Sequence, residues 1–123
     1  MKTDFSDVTF LIPIRIDSVI RLENILASIK HLLSHFDTNI VILEANKYDN
    51  HILKNLLPAD VKYIFVEDWD PIFHRTKYIN TLFLESNTSI ISIWDADIII
   101  PERQLIESIN ALRGGRFEVS FPY

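Results

Sequence analysis

Four stretches of the chain are nearly continuous in apolar residues, and between them the apolar positions change to a three-and-four spacing. Val8–Ile14 (VTFLIPI), Asn39–Ala45 (NIVILEA), Val61–Glu67 (VKYIFVE) and Ser89–Trp94 (SIISIW) read as strands covered on both faces. Val19, Leu22, Ile25, Leu26, Ile29, Leu32, Leu33 and Phe36 recur at helical spacing, with Arg21, Glu23, Asn24 and Lys30 on the other face and Asp17 or Ser18 as the cap. A short helix with Asp49 at its start ends before Pro58. A third helix is predicted from about Phe73 to Ser86, with Ile72, Thr76, Ile79 and Phe83 on one face. Pro101 suits the first turn of a fourth, with Leu105, Ile106, Ile109 and Leu112 inward and Gly114 past its end. The segment FEVSF (117–121) is predicted as a fifth strand.

Strands alternating with helices imply an α/β fold: a three-layer, Rossmann-like, mostly parallel sheet with helices on both faces. The simplest winding runs from the first strand to the second and third, then returns the fourth beside the first. Ligands of such sheets bind outside the carboxyl ends of the strands, where the strand order reverses. That point lies between strands one and four. The residues leaving them are Pro13, Ile14 and Arg15 on one side and Asp95, Ala96 and Asp97 on the other.

Composition narrows the picture. The 123 residues suit one domain, residues 1–123, and the net charge of −5 argues against a nucleic-acid binder, which needs a basic surface to displace counterions. The absence of cysteine excludes disulfides and thiolate metal sites. No apolar run reaches the length of a membrane span, and Val8–Ile16 contains Pro13 and Arg15, unlike a signal peptide. A cytoplasmic location is expected, peripheral attachment at the inner face of a membrane being the variant. The chain closes on an apolar segment that looks like a strand just begun, so an incomplete domain is expected.

Asp95 and Asp97 interrupt the Ile-rich run SIISIWDADIIIP, where turn chemistry alone would favour Gly, Asn or Pro. On extended backbone the two carboxylates would aim into one crevice, Cα atoms roughly 6.5 Å apart. Hard cations such as Mg²⁺ and Mn²⁺ take carboxylate oxygens and share them with substrate phosphates, so one acid could hold a metal while the other accepts from a sugar hydroxyl. Arg15, across the crevice, is placed to contact phosphate. A second Asp-x-Asp, Asp68-Trp69-Asp70, precedes Pro71 and reads as turn chemistry. Trp69 and Trp94 read as core residues. His31 and His35, one helical turn apart, read as packing or surface positions rather than a metal pair.

FLIPIRIDSVIRLENI (Phe10–Ile25), FHRTKYINTLFLES (Phe73–Ser86) and ISIWDADIIIP (Ile91–Pro101) together resemble the donor-binding half of a GT-A glycosyltransferase, of the β-1,4-galactosyltransferase type and related bacterial polysaccharide enzymes. That family has a Pro-aromatic-Arg turn after its first strand, a Phe-Asn-Arg-Ala-Lys helix and an Asp-Val-Asp at the end of a buried strand. The resemblance implies that Pro13, Ile14 and Arg15 line the nucleotide pocket, Arg75 reaches the ribose or diphosphate, and Asp95 with Ala96 meets the sugar side of the donor. It further implies Asp97, with Asp95, as a ligand of Mn²⁺ (or Mg²⁺), and Glu44 as a looser candidate for the uracil. Two departures stand out: Thr81 and Leu82 follow Asn80 where the family has a glycine, and Asp17 replaces the second arginine of the turn.

The expected activity is transfer of a hexose or N-acetylhexosamine from a UDP-sugar donor to a glycan acceptor, with the catalytic base beyond residue 123. The alternative is a non-catalytic module that binds a nucleotide-diphosphate sugar. A nucleotidyltransferase ranks lower, because IPIRIDS lacks the Gly-rich loop with lysine which that chemistry wants. Acceptor and oligomeric state are not legible in the sequence.

Overall fold

A computed structural model describes residues 2–116 and 118–121. Four strands, β1 (Thr3–Ile14), β2 (Phe36–Asn46), β3 (Lys62–Glu67) and β4 (Ile90–Ile93), alternate with four helices, α1 (Val19–His35), α2 (Ile52–Leu56), α3 (Arg75–Leu84) and α4 (Glu102–Arg113). The sheet is wholly parallel and its order is β3-β2-β1-β4. This is the α/β architecture the alternation implies, with the reversal between β1 and β4.

The two faces of the sheet divide the core. Phe10, Ile12 and Ile14 of β1 and Ile40 and Ile42 of β2 pack with Ile25, Ile29 and Leu32 of α1, Leu53 of α2 and Leu105 and Ile109 of α4. Leu11, Val41, Leu43 and Ala45 point to the opposite face and pack with Tyr78 and Leu82 of α3. The period-two alternation of an extended chain makes this division, and burial on both faces explains the unbroken apolar runs.

Several elements differ from the expectation. β1 begins five residues before Val8, and β2 follows α1 directly, so Phe36 belongs to the strand rather than the helix. The polar residues Thr3, Asp4, Ser6 and Asp7 hide this extension in the sequence. Phe5 and Phe36 anchor it, their rings stacked at 4.3 Å. The register then shifts between Phe5 and Thr9, and side chains repair the ladder there. Asn39 donates to the carbonyls of Ser6 and Val8 at 3.1 and 3.0 Å, and Thr38 to Val8 at 3.1 Å.

α3 starts at Arg75, and its inward residues are Tyr78 and Leu82, not Ile72, Thr76, Ile79 and Phe83; Ile72 and Phe83 are exposed. α2 is preceded by His51 in a left-handed conformation (φ 62°), while Asp49 accepts from His51 N–H at 3.0 Å instead of capping the helix. Of the predicted fifth strand, Phe117 lies outside the described residues and residues 118–121 are not in a strand. No described helix is long and apolar enough to cross a membrane.

Candidate functional site at the strand-order reversal

Pro13 opens the sheet. In a parallel ladder, the N–H and C=O of one residue face the same neighbouring strand, and successive residues alternate sides. β1 pairs with β4 from Val8↔Ile90 to Leu11↔Ile93, and Leu11 O then accepts from Trp94 N–H at 3.0 Å. The next donor on that side of β1 would belong to Pro13, which has none. Trp94 O therefore finds no donor among the described residues. On its other side β1 continues to pair with β2 through Ile14↔Glu44. β1 and β4 thus part at the position where the topology places a ligand crevice.

The gap is a cavity of about 340 Å³ lined by Pro13, Ile14, Arg15, Arg75, Asp95, Ala96 and Asp97, together with Phe73 and the first turns of α1. The proline-arginine segment and both acids thus face one space. The backbone between the acids is a turn rather than extended chain, Ile98 N–H donating to Asp95 O at 3.2 Å. The turn keeps Asp95 and Asp97 on the same cavity without strand geometry.

Their partners differ. Asp95 Oδ1 accepts from Arg75 Nη2 and Nε at 2.9 and 3.2 Å. Asp97 is exposed and has no hydrogen bond or ion pair among the described residues. One free carboxylate and one half-used carboxylate offer oxygen ligands of the kind a hard cation takes. No group of three or more acidic, histidine or cysteine residues among the described ones could close a metal shell, so a cation here would need oxygens from a bound ligand as well.

Arg15 lines the cavity, but its guanidinium turns away from the acids. Nε donates to Ala45 O at 3.0 Å, and Nη1 to Asp70 O at 2.8 Å and Pro71 O at 3.3 Å. Nη2 is buried without a hydrogen-bond partner, 4.0 Å from Asp68 Oδ2. The guanidinium also lies over the Phe73 ring, 5.7 Å from its centre. Arg15 therefore ties the end of β1 to the loop between β3 and α3 while it lines the cavity. Asp68 and Asp70 are turn-formers, accepting from the N–H groups of Asp70 and Ile72 at 2.9 and 3.0 Å. Tyr78 donates to Asp68, and that bond holds the Asp68 carboxyl below the usual carboxylate range.

Glu44 does not line the cavity. It lies inside β2, 4% exposed, and accepts from Tyr63 OH at 2.7 Å. Burial raises its pKa, against the lowering effect of the Tyr63 hydrogen bond. Trp94 is buried as expected, but Trp69 is 55% exposed, with Tyr48 against its ring at 5.1 Å and Lys47 5.7 Å from the ring centre.

Besides the apolar Ile20, four lining residues are not among the site candidates of the sequence: Ser18, Arg21, Asn24 and Phe73. The first three share one face of the opening turns of α1, at a spacing of three, and α1 starts where β1 ends. That placement was their signal. Arg21 is paired with Asp17 at 3.2 Å, and Ser18 caps the helix by accepting from Arg21 N–H at 3.2 Å. A larger cavity of about 450 Å³ lies between β4 and α4, with Arg75 and Asp95 in its wall as well. No protein-family model matches the chain, and no curated protein matches it in sequence.

Proposed function

We propose that the chain is the donor-binding region of a metal-dependent glycosyltransferase that moves a hexose or N-acetylhexosamine from a UDP-sugar to a glycan acceptor. The observation that carries this reading is one cavity, opened by Pro13 at the strand-order reversal, that is lined by an unpartnered Asp97, an Arg75-bound Asp95 and Phe73. A nucleoside diphosphate has a planar base, two phosphates and an exchangeable cation, and this lining offers a counterpart to each. The sequence resemblance supplies the sugar and the reaction.

In this reading Asp97 and Asp95 hold Mn²⁺ or Mg²⁺ jointly with the donor diphosphate. Such a cation, when bound, neutralises charge growing on the diphosphate leaving group. Arg75 gives a planar, bidentate donor to phosphate oxygens. Phe73, stiffened by Arg15 beneath it, offers a flat apolar surface for the base. Pro13 keeps the strands apart without costing the sheet a donor elsewhere.

The lining also supports a second reading. Asp95 and Asp97 are the only carboxylates among the described lining residues, so neither is spare to act as a base. A module that binds the nucleotide sugar without turning it over fits the same observations.

Calorimetric titration of UDP with and without Mn²⁺ tests the shared claim. Mn²⁺ should raise the affinity for UDP in the parent protein and fail to raise it in Asp97→Ala. Metal-indifferent binding, or an unchanged response in Asp97→Ala, sinks both readings. Release of UDP from UDP-galactose and UDP-N-acetylgalactosamine in the presence of glycan acceptors then separates enzyme from binding module.

A further inference from the structure

The segment that carries the two acids is held from behind. Ser28 Oγ donates to Ala96 O at 2.8 Å and stands 3.3 Å from Ile98 O. One turn along α1, His31 Nε2 is 3.0 Å from Ile100 O. A carbonyl only accepts, so that nitrogen carries hydrogen. The buried Trp94 donates its indole N–H to Ile98 O at 3.1 Å. Alternate carbonyls of the segment, those of Ala96, Ile98 and Ile100, are thereby claimed by side chains.

Ser28 is 1% exposed on the buried face of α1, beside Ile25 and Ile29. A hydroxyl at such a place costs free energy unless it is bonded, and an alanine would suit the helix better. Its bonds to Ala96 and Ile98 supply the physical reason for it. Without these contacts the segment from Asp95 to Ile100 has one backbone hydrogen bond of its own, Ile98 N–H to Asp95 O. Such a turn would sample many arrangements of its two carboxylates.

We infer that Ser28 and His31 are positioning residues that set the Asp95–Asp97 turn in its cavity-facing geometry. They draw the carbonyls toward α1, which leaves the Asp97 carboxylate free on the cavity side. The clamp stands on these bonds alone. Its purpose, to fix the oxygens offered to a cation, rests on the proposed donor site. Groups that orient metal ligands from behind typically change metal affinity about 10- to 100-fold when removed.

The experiment uses the full chain with Ser28→Ala, His31→Leu and His31→Gln, the last keeping an N–H near the position of Nε2. His31 is only partly buried, so its variants stay informative should Ser28→Ala fail to fold. Hydrogen exchange of the Ile98 amide, the one in the segment that is hydrogen-bonded, is read first, without metal or nucleotide. It should quicken about tenfold or more in Ser28→Ala and His31→Leu, with β1 and β2 unchanged and His31→Gln like the parent. UDP calorimetry is read second: the gain in affinity that Mn²⁺ confers should fall about tenfold in the same two variants, with metal-free affinity unchanged. The inference is overturned by unchanged exchange at Ile98, by equal quickening in β1 and β2, or by an intact Mn²⁺ gain in a loosened segment. A parent protein that binds no UDP with Mn²⁺ refutes the donor site, and the exchange measurement then decides the clamp by itself.

Discussion

Arg75 and Asp95 meet on the boundary between two cavities, the arginine placing two hydrogen bonds, at 2.9 and 3.2 Å, on one carboxylate oxygen. Their side chains are 46% and 49% exposed, and ion pairs this wet contribute about 0–1 kcal/mol. The contact is cheap to exchange. A diphosphate in the smaller cavity could take the guanidinium from Asp95 at little cost and leave that carboxylate free for a cation or a sugar hydroxyl. The opening towards the larger cavity would change in the same event.

Arg75→Ala should therefore separate stability from binding. The thermal midpoint should move by no more than a few degrees, since the lost pair contributes about 1 kcal/mol or less. UDP affinity in Mn²⁺ should fall about 10- to 100-fold, the worth of charge-assisted hydrogen bonds to phosphate. A large drop in midpoint with unchanged UDP affinity would make Arg75 a structural residue.

Pro13→Ala restores the backbone donor that Trp94 O lacks. One more ladder bond contributes about 1 kcal/mol, and losing the stiffness of proline in the unfolded chain costs about as much, so stability should stay within about 1 kcal/mol of the parent. The crevice should narrow and UDP affinity fall, with or without metal. Amide exchange at residue 13 reports the new bond: protection there alongside weaker binding supports the role of proline as the wedge, and full exposure refutes it.

What could be read from the sequence followed from periodicity. The unbroken apolar runs carry the parallel sheet and its strand order, and the reversal brings Pro13 and Asp97 to one place because topology alone decides it. Side-chain direction was not legible. Arg15 lies two residues from Pro13, yet its guanidinium goes to the Asp68–Asp70 loop, because the open carbonyls of Ala45, Asp70 and Pro71 lie there. The inward face of α3 differs from the helical pattern for a related reason. Tyr78 has a polar tip, and only the position of Asp68 makes it a better core residue than Phe83. Ser28 hid within an apolar stripe, since its partners stand 68 and 70 residues away.

Arg15→Lys tests that anchoring role. Lysine has a single charged nitrogen and cannot reproduce a fork shared among three carbonyls. At 16% exposure the loss should cost about 1–3 kcal/mol and lower the thermal midpoint visibly. Phe73 loses its support, so UDP affinity should weaken by a similar factor with and without Mn²⁺. A loss confined to the Mn²⁺-containing titration would return Arg15 to the phosphate side of the site.

Glu44 sets the pH dependence of stability on the alkaline side. Burial raises its carboxyl above the ordinary value of 4.5, more than the Tyr63 hydrogen bond lowers it. The folded state then binds the proton more tightly than the unfolded one, so this contribution is whole below about pH 4.5 and is lost as pH rises through the raised value. Asp7, lowered first by its hydrogen bond from Arg113, and Asp68, lowered first by that from Tyr78, run the other way. Their contributions are present above the ordinary value of 3.8 and disappear as pH falls through the depressed ones. Glu44→Gln keeps an acceptor for Tyr63 and removes the titration. Its thermal midpoint should exceed that of the parent by a few degrees at pH 7.5 and match it near pH 4, which scanning calorimetry across that range measures. An equal difference at both pH values would mean that the carboxyl is solvated well enough to titrate normally, and that the Glu44–Tyr63 contact acts through packing instead.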